Sequence, residues 1–259
     1  MSLNTKIKIF ETGISEGIFS RNKKFYDSSL NEEDINNIFD KVKENVGKKY
    51  GFNSKHIFQA LQKTDTNKIN YPDGKYVVLD DSYMDDRDYF KKNIETDILI
   101  ISEKYKNIVV GNQMADCPIV IVEDRKKGVS ALSHCGATYI NRELPIQTVQ
   151  ALIKEYNSNL EDLYVYIGSC AKKENYIYDQ YPNWATNKAV WENNIVKKSD
   201  GYHIDMNSAI ENQLKRMGIK NILSSDIDTI TNDNYYSHRA FMLGNEKKKG
   251  QNFVGFFYN

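Results

Sequence analysis

The chain has 259 residues, of which 40% are apolar and 27% charged, enough for a packed core. Its 35 basic residues balance its 35 acidic ones, so it lacks the basic excess of a dedicated nucleic-acid binder. No apolar run approaches the roughly 20 residues that span a bilayer, and the opening M-S-L-N-T-K has no apolar signal core.

Lys6 to Glu11 alternates apolar and polar residues and reads as a strand, followed by a turn over Thr12 to Gly17. Asn31 to Tyr50 is the first helix. Asn31 caps it, three acids fill its first turn, and Ile35, Ile38, Phe39, Val42 and Val46 form one apolar stripe. Gly51 ends it. Strands are expected at His56 to Leu61, Tyr76 to Leu79 and Asp97 to Ser102, with a solvated acidic loop over Asp80 to Asp88.

Three β-branched runs follow, Ile108 to Val110, Ile119 to Val122 and Val129 to Leu132. The last two flank a charged turn from Asp124 to Gly128 and read as a hairpin. Cys117 precedes one strand of it and His134 follows the other. Antiparallel pairing therefore makes neighbours of two residues 17 positions apart in sequence. A thiol and an imidazole at one sheet end suit a soft metal or a nucleophile–base pair.

Helices are expected at Asn141 to Asn157, with Pro145 in the first turn, at Trp184 to Val196, and at Asp205 to Gly218. Leu163 to Ile167, Asn221 to Ser224, Arg239 to Leu243 and Asn252 to Phe257 read as strands, the last two joined by a polar turn over Asn245 to Gly250. Without a regular βαβ repeat, the pattern indicates one α+β domain, 1–259, with mixed or antiparallel sheets. The cysteines, Cys117, Cys135 and Cys170, are odd in number, as expected of reduced thiols in a cytoplasmic protein.

In order, the short motifs are Gly13 to Asn22 (G-I-S-E-G-I-F-S-R-N), Ala115-Asp116-Cys117-Pro118, His134-Cys135-Gly136, Gly168-Ser169-Cys170 with Tyr176 nearby, Ser237-His238-Arg239 and a final aromatic strand. Their order and spacing resemble the YfiH-type laccase-domain family, once described as multicopper polyphenol oxidases and later as purine nucleoside phosphorylases. The resemblance spans nearly the whole chain. It implies phosphorolysis of purine nucleosides, with adenosine deamination as a side activity, at a zinc or copper site. By the same resemblance Cys117 and His134 are metal ligands and catalytic groups, while Asn22, Ser237 and Arg239 contact substrate or phosphate.

The family's first ligand is a His in a Q-x-H-G turn, and here Thr64 stands in its place, or Leu61 if the alignment starts at Gln59. A third ligand is sought at Cys170, Cys135 or Asp65. Ala137 replaces a Trp, Gly250-Gln251 a Gly-Arg, and Ile210-Glu211 an Asn-Arg. Two further readings follow. A diverged relative would bind a nucleotide or partner without turnover. The fold also resembles the catalytic domain of cytotoxic necrotising factor toxins, which implies a Cys–His thiol hydrolase or deamidase. Expected partners are a purine nucleoside and phosphate, not nucleic acid or membrane, with the protein a monomer or homodimer.

Overall fold

A computed structural model describes residues 6–62, 75–84 and 94–259. In chain order it contains β1 (Ile7–Glu11), α1 (Glu32–Tyr50), β2 (Ile57–Leu61), β3 (Tyr76–Leu79), β4 (Ile94–Glu95), β5 (Ile98–Ser102), β6 (Val109–Met114), β7 (Ile119–Asp124) and β8 (Val129–His134). Then come α2 (Ala137–Asn141), α3 (Leu144–Tyr156), β9 (Leu163–Ile167), β10 (Ile177–Tyr178), α4 (Lys188–Trp191), β11 (Ile195–Lys198), β12 (Gly201–Ile204), α5 (Met206–Met217), β13 (Asn221–Ser224), α6 (His238–Met242) and β14 (Asn252–Tyr258).

The strands form a five-stranded sheet, β1-β14-β6-β2-β4, a six-stranded sheet, β13-β9-β7-β8-β5-β3, and a small sheet, β10-β12-β11. Both large sheets mix parallel and antiparallel pairs. They are stacked face to face, because side-chain direction alternates along each strand. On β5, Leu99 and Ile101 meet Phe58, Val110, Val254 and Phe256 of the other sheet. Ile98 and Ile100 point the other way, into a core shared with Val149 and Leu152 of α3 and Ala209, Ile210 and Leu214 of α5. The outer face of the five-stranded sheet carries Phe10, Phe253 and Phe257, covered by Phe39, Val42 and Val46 of α1. The result is an α+β architecture of four layers, helix, sheet, sheet and helices.

α1 forms as its sequence dictates. Asn31 and Asp34 make a reciprocal capping box, and Gly51 closes the helix at φ 86°. Burying Phe39 and Val46 contributes about 1.5–3 kcal/mol each. Ile38, expected in the stripe, is 39% exposed, because it lies one position off the face that meets the sheet. In the five-stranded sheet, Gly111 pairs with Gly255. A β-carbon at Gly111 would lie 2.2 Å from the Phe253 ring, so the glycine leaves room for that ring to lie flat.

Four expectations change. The helix expected at Asn141 to Asn157 is α3, with Pro145 in its first turn, but it starts only at Leu144, after Glu143 at φ 58°, and Asn141 instead ends the separate short helix α2. Trp184 to Val196 is helical only over α4 and then turns into β11. Arg239 to Leu243 is the helix α6 rather than a strand, because the Ser237 hydroxyl caps it by accepting the Ala240 N–H. The polar stretch before Gly250 therefore connects a helix to β14. The part of the acidic loop beyond Met84, Asp85 to Asp88, lies outside the described residues. Among the described residues no helix is long and apolar enough to cross a membrane.

Candidate active site

Strand ends from both large sheets meet at one end of the sandwich. β7 and β8 pair with Ile119 opposite His134, and the Cys135 N–H continues the ladder to the Pro118 carbonyl at 2.9 Å. One step further, Gly136 faces Cys117, and a β-carbon at Gly136 would stand 3.2 Å from Cys117 Sγ. The hairpin thus delivers Cys117 and His134 to one rim, both half-buried. Alternation puts His134 on the intersheet face with Leu132 and Ser130, whose hydroxyl meets the Tyr258 hydroxyl at 2.6 Å.

Burial governs the chemistry of the pair. It pushes the Cys117 thiol up to about 12, reinforced by the charges of Asp116 and Cys170. It pushes His134 down to about 4, so the imidazole is neutral near pH 7. A neutral imidazole is the form that binds a metal or accepts a proton. Its ring makes no hydrogen bond to the described residues, while its main-chain carbonyl accepts the Gln62 side-chain amide at 3.0 Å. Gln62 is the last described residue before Thr64 and Asp65, which lie outside the described residues.

Asp116 holds the turn before Cys117. It adopts φ 84°, a left-handed conformation that Asp tolerates better than most residues. Its carboxylate is buried and accepts the Thr229 hydroxyl at 2.7 Å and the Arg239 N–H at 2.6 Å. Its carbonyl accepts the Ala171 N–H at 2.9 Å. Three separated segments are thereby tied to the cysteine turn. Glu11, at the end of β1, makes a second tie. Its carboxylate accepts the Ser169 N–H and hydroxyl, at 3.0 and 2.5 Å, and the hydroxyls of Tyr166 and Tyr235. The sequence quoted Asp116 and Ser169 only as motif letters and gave Glu11 no part. The partners of the Asp116 and Glu11 carboxylates are 113 to 224 residues away, beyond any local pattern.

The other named residues are placed as follows. Cys170, fully buried just after β9, donates to the Asn207 side-chain oxygen at 3.1 Å and is near enough to Cys117 to raise its thiol. Cys135 belongs to the helix-side core, 3.4 Å from the Ser133 hydroxyl, on the opposite face of β8 from His134. Ser237 is buried and its hydroxyl is occupied as the α6 cap. Asn22 is exposed and caps a single turn by accepting the Lys24 N–H at 3.1 Å.

Arg239 is half-buried. Its guanidinium carbon lies 5.1 Å above the Tyr178 ring, one terminal nitrogen donates to the Ile177 carbonyl, and its buried Nε has no partner among the described residues. Tyr178 in turn meets the Tyr176 hydroxyl at 3.0 Å. Tyr176 has its own ionisation suppressed by burial and by the charges of Tyr178 and Cys117. Tyr176, Tyr178 and Arg239 thus form one connected wall, and Cys117 lies near enough to oppose ionisation of Tyr176.

The sequence matches the family described as multi-copper polyphenol oxidoreductase laccase over residues 11–255. The chain belongs to this laccase family. Its fold resembles the Bacillus licheniformis hypothetical protein YfiH, at TM-score 0.67 and 17% identity, covering 86% of this chain and 82% of that one. It also resembles YlmD from Geobacillus stearothermophilus, at TM-score 0.70 and 16% identity over 86% and 81% of the two chains. Neisseria meningitidis protein NMB0706 aligns at TM-score 0.65 and 16% identity over 98% and 95%. No curated protein matches the sequence. Among the described residues, no three His, Cys, Asp or Glu side chains converge as a metal cage. Cys117 and His134 are donors that suit zinc or copper, but two donors are one short of the three protein ligands of a catalytic zinc. In this laccase-family chain, the described residues alone therefore do not complete a metal centre.

Proposed function

We propose that the protein is a purine nucleoside phosphorylase-like enzyme, acting on adenosine or inosine and inorganic phosphate at the Cys117–His134 rim. The observation that carries this reading is Arg239 Nε, which has no partner among the described residues, in the tyrosine–arginine wall beside the rim. A half-buried guanidinium with a spare donor has the charge and geometry to grip one phosphate oxygen. Its Ile177 and Tyr178 contacts hold it ready before any ligand arrives.

In the reaction, a phosphate oxygen attacks the ribose anomeric carbon as the bond to the purine nitrogen breaks. The electron pair leaves with the purine, which takes up a proton, giving ribose 1-phosphate and free base. Arg239 orients the anion, and Tyr176 and Tyr178 offer aromatic surface to the base. His134, neutral near pH 7, relays a proton at the rim. No step here is assigned to a metal. Adenosine deamination is a side activity of the same pocket under this reading.

The raised Cys117 thiol and lowered His134 both oppose a thiolate–imidazolium pair, so a thiol hydrolase is the less supported alternative. The test is chromatography of purified protein incubated with adenosine or inosine and phosphate. Free purine and ribose 1-phosphate are expected in equal amounts. Their absence, with and without added zinc, rejects the proposal and leaves the diverged nucleotide-binding reading, which equilibrium dialysis with purines would measure.

A further inference from the structure

His203, on β12, is only 3% exposed, and both of its ring nitrogens face acceptors. Nδ1 lies 2.9 Å from the Lys173 carbonyl and Nε2 lies 2.8 Å from the Asp200 carboxylate. Neither partner can donate. A neutral imidazole carries one N–H, so the two bonds coexist only when the ring holds two protons. The charge is compensated locally, because the His203 hydrogen bond is the largest cause lowering Asp200, with Lys198 acting in the same direction. The residues paired with His203, Ile177 on β10 and Val196 on β11, do not titrate. Lys173 is directed elsewhere, 3.9 Å from Asp205 at the cap of α5.

The place of this ring in the fold gives it consequence. Lys173 lies between Cys170 and Tyr176, in the segment that leaves the G-S-C turn. Ile177, opposite His203, supplies the carbonyl that holds Arg239, and the Ile204 N–H donates to the Tyr176 carbonyl at 3.0 Å. One imidazolium therefore fastens the β11–β12 hairpin to the segment that carries Tyr176 and Tyr178 and holds Arg239.

We infer that His203 is a proton-operated latch: protonated, it clamps the β11–β12 hairpin to the 173–178 segment, and on losing a proton it releases one of its two partners and loosens that wall. The latch does not depend on which reaction the site performs. Its sign follows from the bonds: closed at the acid end and loosened as pH rises through the His203 titration.

The experiment uses the full chain. Imidazole nitrogen and proton resonances are recorded from about pH 5 to about pH 9, with amide hydrogen exchange followed at each pH. Two ring N–H groups are expected at the acid end, and the protection factor of the Ile204 amide, taken against the base-catalysed rate of an unstructured amide at the same pH, should fall about tenfold through the same midpoint, as one charged hydrogen bond is lost. D200N supplies the sharper check. An Asn amide donates to a bare Nε2, so neutral His203 keeps both partners, and the Ile204 amide should stay protected across the range. H203Q, which cannot serve both positions, should exchange fast throughout. A ring that holds one N–H at every pH, a ring that never changes charge, or an Ile204 amide that ignores the midpoint overturns the inference. Loss of the phosphorylase reading leaves all of these readouts untouched.

Discussion

Gly136 over the Cys117 sulfur gives the most direct test of how the site is assembled. Gly136 has φ −63° and ψ 163°, a conformation open to any residue, so G136A adds no backbone strain. In a sequence without neighbours the change would stabilise by about 0.4–1 kcal/mol, through the unfolded chain. Here the new methyl would stand 3.2 Å from Cys117 Sγ and 3.9 Å from its β-carbon. Only the sulfur contact is too short, and overpacking of this kind costs about 1–3 kcal/mol. G136A alone should therefore come out between neutral and about 2 kcal/mol destabilised. In a C117A background the obstruction is gone, and the same substitution should stabilise by about 0.4–1 kcal/mol. The coupling between the sites is then about 1–3 kcal/mol, read from urea midpoints of the four proteins at constant slope. A cycle that closes to within about 0.3 kcal/mol would show that the sulfur is not above Gly136 and that the hairpin register is wrong.

Three further expectations rest on the same geometry. D116A removes acceptors from the Thr229 hydroxyl and Arg239 N–H and leaves a β-carbon at φ 84°, so it should destabilise by about 2–4 kcal/mol in denaturant unfolding; a loss under 0.5 kcal/mol would remove Asp116 as a junction. For His134, whose folded value of about 4 lies below its ordinary 6.5, the unfolded chain binds the extra proton between those values. Stability should thus fall as pH drops from 6.5 to 4, by up to about 3 kcal/mol, and H134N should flatten that slope. R239K keeps the charge but loses the fork, so in a phosphorolysis assay it should raise the phosphate KM about tenfold with a smaller change in kcat; an unchanged KM would take phosphate away from Arg239.

The sequence told most where structure depends on neighbours within a few residues. The β7–β8 hairpin was readable because β-branched runs flank a charged turn, and α1 because its cap, stripe and closing glycine agree. α6 was misread because Arg239 to Leu243 has the apolar look of a strand, and the deciding Ser237 hydroxyl acts from outside that run. β10 is two residues long and exists only through its pairing with β12, so no periodicity could reveal it. The same limit applies to the candidate site. Cys117 and His134 could be paired from local signals, because one hairpin carries both. Asp116, Glu11 and the tyrosine wall acquire their parts only through contacts far along the chain.

That difference separates what the hairpin fixes by itself from what the rest of the fold supplies. The two chemical groups are set by a single register, Ile119 against His134, which is anchored at the far end of the hairpin by the Asp124–Gly128 turn. There the Asp124 carboxylate accepts the N–H groups of Lys126 and Lys127, and Gly128 turns the chain at φ 64°. A slip of one residue would exchange the faces of β8, sending His134 toward the helices and Cys135 toward the other sheet. Ser133 and Thr148 resist that exchange, since their hydroxyls are bonded at 2.8 Å inside the helix-side core. The wall, by contrast, hangs on the hydrogen bond that the Arg239 N–H donates to Asp116 and on a three-stranded sheet outside the sandwich. Thiol and imidazole are thus fixed by the hairpin register, while the groups that would select a substrate are carried by the small sheet and α6.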